Sequence, residues 1–174
     1  MQQHIIVMGI SGAGKSTLAA AIAARTGYAF IEADHLHSAA NLAKMTSGVA
    51  LTSGDRGPWL AEVRAEMDRA ARTNRTAVVA CSALRRNYRD QLAGDAKDVV
   101  FVHLVGDHEL IRRRMTGRIG HFMPTTLLDD QLATLEPLQP DENGFEVGTD
   151  QNTEDVVDQV LDRLGFDARS GAAN

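Results

Sequence analysis

Ile5-Ile6-Val7-Met8-Gly9-Ile10-Ser11-Gly12-Ala13-Gly14-Lys15-Ser16-Thr17-Leu18 is the stretch from which the fold is read. Its four continuous apolar residues read as a strand buried on both faces. Gly9 to Ser16 then fits G-x-x-x-x-G-K-[ST] without exception. Gly14 to Thr26 is alanine-rich, with Leu18 and Ile22 one helical turn apart and Gly27 placed as a C-cap. Strand, glycine loop and helix in that order make a phosphate cradle. The main-chain N–H groups of Gly9, Ser11, Gly12, Ala13 and Gly14 can surround a phosphate, and the helix N-terminus adds partial positive charge. Lys15 supplies a point charge between the β- and γ-phosphates. The Ser16 hydroxyl is the candidate Mg²⁺ ligand, and Thr17 joins the nucleotide-binding set in the same turn. The motif points to binding of a triphosphate such as ATP and leaves the second substrate open.

Outward from this loop, apolar runs alternate with helical patterns. Tyr28–Ile31, Ala77–Ala80 and Val99–Val105 read as further strands, with Phe145–Val147 a weaker fifth. Helices are expected from Pro58, over Leu84–Leu92, from Asp107 through Met115, and from a cap at Thr153 with Val156, Val157, Val160 and Leu161 on one face. Strands separated by helices need crossovers, so the class is α/β with a mainly parallel sheet flanked by helices, the P-loop NTPase fold.

At 174 residues the length suits one domain, 1–174, with a fraying tail over 166–174. Lys plus Arg total 18 against 23 Asp plus Glu, a net charge of −5 that argues against a dedicated nucleic-acid binder. The one cysteine, Cys81, excludes an internal disulfide and suits a reducing compartment; it is assigned to packing. Apolar runs such as Leu18–Ala24 are too short for a membrane span, and no basic signal region precedes Ile5, so a cytoplasmic protein is expected.

No guanine-reading Asn-Lys-x-Asp occurs, and a small chain with the loop near its start suits a small-molecule kinase. Such an enzyme must exclude water or lose ATP to hydrolysis, so a lid is expected at about 112–135. Arg112, Arg113, Arg114, Arg118 and His121 lie between Ile111 and Leu128 with no acid among them. Arg112 and Arg113 also suit a solvated helix face; Arg114 and Arg118 are the candidate lid cations, Arg114 toward the nucleotide.

Further motifs follow in order: Asp34-His35-Leu36-His37 with Asn41, Lys44 and Met45; Asp55-Arg56-Gly57-Pro58-Trp59-Leu60; Cys81-Ser82-Ala83-Leu84 with Tyr88-Arg89-Asp90; Arg118-Ile119-Gly120-His121-Phe122; and Gln131 with Leu135-Glu136. With the phosphate loop, from about His4 to Leu164, they resemble the gluconate kinases (gluconokinases) of the shikimate- and nucleoside-monophosphate-kinase-like group. The resemblance implies transfer of the ATP γ-phosphoryl group to the 6-hydroxyl of D-gluconate, giving 6-phosphogluconate. It also implies a five-stranded parallel core, a mobile lid, Mg²⁺ dependence and a homodimer. The chain departs from the family pattern at Thr52-Ser53-Gly54, where relatives carry more acids, and at Ser38, where proline is common.

Asp34, past the second strand, can orient or deprotonate the attacking hydroxyl; it suits a helix N-cap equally well, and the resemblance favours the catalytic role. Glu32, two residues earlier, stands where related kinases often place an Asp. His37, Asn41 and Lys44 share a helix face as polyol or carboxylate contacts, although a lone His is more often structural. Arg56 is the candidate for the gluconate carboxylate, against a surface pair with Asp55; Arg89 has the same two readings with Asp90. Ser82 and neighbouring amides are assigned to substrate hydrogen bonds, Trp59 to packing, and His121 to the lid side of the substrate. Two alternatives stay open: a kinase of another small acid such as shikimate, and a regulatory module that binds ATP without turnover.

Overall fold

β1 (His4–Met8) is buried along its whole length because it pairs in parallel with β3 (Ala77–Ala80) on one side and β4 (Val99–Val105) on the other. The computed structural model describes residues 3–95, 98–116 and 126–166, at 114–116, 126 and 127 as backbone only. β2 (Ala29–Glu32) and β5 (Gly144–Gly148) complete a parallel sheet of order β2-β3-β1-β4-β5. The weak fifth strand is therefore real, and the expected α/β class is found.

Alternation along the strands builds two cores. Ile5, Val7, Val78, Ala80, Val102 and Leu104 face α1 (Lys15–Thr26) and α7 (Thr153–Arg163). Ile6, Met8, Val79, Cys81 and Phe101 face α3 (Ser53–Arg72) and α4 (Arg86–Ala93). Two-sided burial explains why these strands read as continuous apolar runs. The remaining elements are a 3-10 turn (Ala33–Leu36) after β2, then α2 (Ala39–Thr46), α5 (His108–Thr116) and α6 (Thr126–Thr134). No described helix is long and apolar enough to cross a membrane.

Several boundaries differ from expectation for local reasons. α3 begins five residues before Pro58, because Thr52 and Asp55 form a capping box: each side chain takes the other's main-chain N–H. Pro58 sits inside the helix, where Gly57, lacking Cβ, relieves the clash with the proline ring. The lost helical hydrogen bond, roughly 1 kcal/mol, is small beside burial of Trp59, Leu60, Val63 and Met67 at roughly 1.5–3 kcal/mol each. Ser38, in place of the family's proline, caps α2 by accepting from the Asn41 N–H at 3.2 Å. Asn152, not Thr153, caps α7, and Asp107 caps α5 as expected. The tail beyond 166 lies outside the described residues.

Three buried imidazoles sit in this frame. The His4 Nδ1 accepts the Ala77 N–H at 3.0 Å, His37 stacks on Trp59, and His103 lies beneath the phosphate loop. Burial pulls each below the ordinary histidine range, against the smaller opposing pulls of Asp98, Asp34 and Glu146 respectively. Below about pH 6.5 the unfolded chain therefore binds more protons than the folded one, and stability falls as pH falls through that range. We expect a lower urea midpoint at pH 5.5 than at pH 7.5, with a shallower difference in His4→Gln. Equal midpoints at the two pH values contradict this account.

Candidate active site

The loop Gly9–Gly14 leaves the carboxyl end of β1 where flanking strands β3 and β4 carry the chain to opposite sides, the crevice in which open parallel sheets bind ligands. Gly9 has φ +140°, and a Cβ there would lie 2.9 Å from the Leu104 carbonyl oxygen. Only glycine lets the loop pass this close to β4. Gly14, at φ +101°, opens α1. The Gly9 N–H donates to the Ser82 carbonyl at 3.2 Å, tying the loop to the end of β3.

Two donors of this loop rest on protein oxygens. The Ser11 N–H donates to Oε1 of Gln131 on α6 at 2.6 Å, across 120 residues of sequence. Lys15 Nζ donates to the Ile10 carbonyl at 3.0 Å. Burial pulls the Lys15 ammonium below the ordinary lysine range, with Asp34 the largest charge opposing that pull. Cys81, buried beside them, has its thiol pushed up to about 12, chiefly by desolvation and then by Asp34, so it stays a neutral packing group. Ser16 stands exposed in the first turn of α1. Among the described residues no group of three or more His, Cys, Asp or Glu could cage a metal. A lone hydroxyl beside a phosphate cradle suits Mg²⁺, which keeps its waters and is held largely by substrate phosphates.

One cavity gathers Ser11, Lys15, Asp34, His37, Arg56 and Ser82. Asp34 lies in the 3-10 turn after β2, half exposed, and the nearby helix is capped by Ser38, so its carboxylate is no cap. The turn is held from below: Trp59 Nε1 donates to the Ala33 carbonyl at 2.7 Å, and the Trp59 ring stacks on His37 at 4.1 Å between centroids. Asn41 Nδ2 donates to His37 Nδ1 at 3.4 Å and to the Asp55 carbonyl at 3.0 Å. In the neutral ring that places the His37 proton on Nε2, 3.9 Å from Asp34 Oδ1. Arg56 lies over the Tyr88 ring at 5.8 Å, and desolvation pulls its guanidinium below the usual arginine range. It has no pair with Asp55, whose carboxylate takes Lys44 and Thr52 and is thereby drawn down to about 2.

A second hollow opens on the other side of the loop, between Gly12, Gly14 and Thr17 and the turn after β5 at Gly148, Thr149 and Asn152. Within it Thr149 Oγ1 is buried with no hydrogen-bond partner.

A family profile described as an AAA domain matches residues 5–138. The gluconokinase of Gluconobacter oxydans (strain 621H) is 41% identical over 159 residues, covering 91% of this chain and 89% of that protein. The crystal structure of a gluconokinase from Sinorhizobium meliloti 1021 is 39% identical with TM-score 0.79, covering 96% of this chain and 98% of that one. An unliganded sugar kinase from Janibacter sp. HTCC2649 is 44% identical with TM-score 0.91 and full coverage of both chains. The chain belongs to the gluconokinase family.

In this gluconokinase-family chain two expected substrate contacts lie elsewhere. Lys44 does not line the cavity; its Nζ is held by Asp55 at 2.7 and 2.9 Å, clamping α2 to the start of α3. Arg89 is fully buried and its fork is saturated. Nε and Nη2 meet Glu142 at 2.5 and 2.9 Å, and the remaining N–H groups serve the carbonyls of Ala83, Leu84, Glu136 and Pro137. Its expected partner Asp90 pairs instead with Arg86 at 2.8 Å. Of the arginines around α4 it is Arg85, one helical turn earlier and just before α4 begins, that joins Arg56 in lining the cavity. Position could have found it: it lies in the loop that leaves the β3 carboxyl end, whereas Arg89 sits inside the helix. Tyr88 and Gln131 also line the cavity without an earlier assigned role. Arg118, His121 and the Arg114 side chain lie outside the described residues; Arg112 pairs with Asp129 at 2.8 Å and Arg113 with Glu109 at 3.3 Å, as a solvated face would.

Arg89 thus fixes the substrate loop from beneath. Ala83 is held at φ +44°, a left-handed conformation unusual for alanine, by two carbonyls bound to Arg89. The Glu142 carboxyl, though raised by burial, is drawn lower on balance by Arg89 and the Gln139 N–H. Arg89→Met strands that buried carboxylate. We expect a loss of about 3–5 kcal/mol in unfolding free energy, read by urea denaturation; a loss under 1 kcal/mol contradicts the role.

Proposed function

We propose that the protein is an ATP-dependent carbohydrate kinase, a gluconokinase, transferring the γ-phosphoryl group to the 6-hydroxyl of D-gluconate to give 6-phospho-D-gluconate and ADP. One observation carries this reading: a single cavity has phosphate-loop groups Ser11 and Lys15 with the Asp34 carboxylate, and also the Arg56 guanidinium. An acceptor that is both a polyol and a monoacid matches such a cavity. Identity of about 40% with gluconokinases over nine-tenths of the chain supports it.

In this mechanism the loop amides and Lys15 hold the β- and γ-phosphates, and the base occupies the hollow beside Thr149. The Ser16 hydroxyl would hold Mg²⁺, which would supply charge neutralisation at the transferred phosphoryl group. Asp34 orients the attacking hydroxyl and receives its proton, with His37 Nε2 3.9 Å from its carboxylate. Positioning dominates, because phosphoryl transfer passes through a loose transition state. Arg56 binds the carboxylate, Ser82 hydrogen-bonds the polyol, and the lid at about 112–135 brings Arg114, Arg118 and His121 over the reactants. The gluconate kinase resemblance extends the proposal to a cytoplasmic homodimer whose 174 residues form one domain.

A coupled assay over D-gluconate, shikimate and nucleoside monophosphates tests the acceptor, with Mg²⁺ omission as control. Gluconate is expected to be the best substrate, and Lys15→Met to abolish turnover without lowering the melting temperature, since it removes a half-buried charge that forms no salt bridge among the described residues. An equal or better rate with shikimate overturns the acceptor; tight ATP binding with no turnover favours a regulatory module. Arg56→Ala is expected to raise the KM for gluconate roughly ten- to a hundred-fold while moving the KM for ATP little. Parallel rises in both values remove its assignment to the carboxylate.

A further inference from the structure

Three cations line the acceptor cavity, Lys15 of the phosphate loop and the arginines Arg56 and Arg85. Lys44, Arg86 and Arg89, on the elements behind it, each hold an acid within 2.9 Å. Arg56 and Arg85 line the cavity, are half-buried, and form no salt bridge among the described residues. Acids that could have neutralised them are engaged elsewhere: Asp55 with Lys44, Asp90 and Asp141 with Arg86, Glu142 with Arg89. Asp34 and Asp130, which share the cavity, pair with neither guanidinium.

The two arginines also reach the cavity by separate, rigid routes. Arg56 stands in the first turns of α3 behind the Thr52–Asp55 capping box, its guanidinium over the Tyr88 ring. Tyr88 is steadied by a 3.2 Å hydrogen bond between its hydroxyl and that of Ser53. Arg85 is the residue before α4, its carbonyl accepting the N–H groups of Tyr88 and Arg89 at 3.1 and 3.2 Å. The loop leading to it is pinned by the Arg89 contacts with Ala83 and Leu84. The charge of Arg85 is among the pulls that lower Arg56, so the two cations act on each other across the cavity. Two half-buried like charges that form no salt bridge among the described residues favour the entry of an anion.

We infer that Arg85 and Arg56 form a two-guanidinium clamp for the carboxylate of the acceptor, and that Arg85 thereby contributes to selection of a sugar acid over a neutral sugar. Two forks can meet both carboxylate oxygens, which one lysine cannot. Relief of the Arg56–Arg85 repulsion adds to the preference for an anion. The inference rests on the gluconokinase reading above and assigns a carboxylate contact to Arg85.

Steady-state kinetics of the full chain with D-gluconate, ATP and Mg²⁺ test it, using Arg85→Gln and Arg85→Lys beside the parent. Arg85→Gln is expected to raise the gluconate KM about ten-fold or more, with the ATP KM within twofold and the ligand-free melting temperature unchanged. Arg85→Lys should recover part of that loss, and added NaCl should weaken gluconate binding more in the parent than in Arg85→Gln. A parent that fails to phosphorylate gluconate sinks the acceptor reading and this inference together. A parent that turns gluconate over while Arg85→Gln keeps its gluconate KM within twofold overturns the inference alone. A lowered melting temperature, or equal rises in both KM values, marks a structural role and overturns it too.

Discussion

The passage of Gly9 beneath the Leu104 carbonyl is the constraint on which the rest of the site depends. β1 lies between β3 and β4, and a phosphate loop leaving its end must skim β4 before turning into α1. A side chain at position 9 would push the loop away from the sheet. The amide cradle would then lose its anchor to Ser82, and Lys15 its setting beside Asp34. Backbone clearance of a few tenths of an ångström therefore governs where charge is concentrated.

That concentration is costly in the ligand-free protein. Lys15 is half-buried, and among the described residues neither it nor Arg56 nor Arg85 forms a salt bridge. The surroundings partly answer the first cost, since Lys15 rests on the Ile10 carbonyl and the Ser11 amide on Gln131. These contacts use the donors that a phosphate would take, so nucleotide exchanges one set of oxygen acceptors for another instead of meeting bare groups. Because Gln131 belongs to α6, the same hydrogen bond ties the loop to a helix inside the segment expected to form the lid.

Rigidity of the acceptor side comes from groups that never reach the cavity. Trp59 holds the Asp34 turn through Ala33, Lys44 and Asn41 hold α2 against α3, and Arg89 binds four carbonyls beneath the Ser82–Arg85 loop. Each is a buried or half-buried polar contact with its partners satisfied, which favours one geometry over many. Most of the polar side chains that line the cavity are half-buried, while Trp59 and Arg89 beneath them are buried.

Sequence alone determined the phosphate cradle, the five strands, the helices α1, α3, α4, α5 and α7 in outline, and the cavity residues Lys15, Asp34, His37, Arg56 and Ser82, because each depends on a local pattern: a glycine spacing, an apolar run, a position just past a strand. The tertiary structure decided which of two arginines four residues apart enters the cavity, that Lys44 belongs to Asp55, and that Gln131 sits on the loop 120 residues away. Those outcomes depend on where a helix begins and which acid lies opposite in space. A cation's chemistry is the same in either place, and only the folded chain sets whether its partner is a carboxylate of the protein or one from solution.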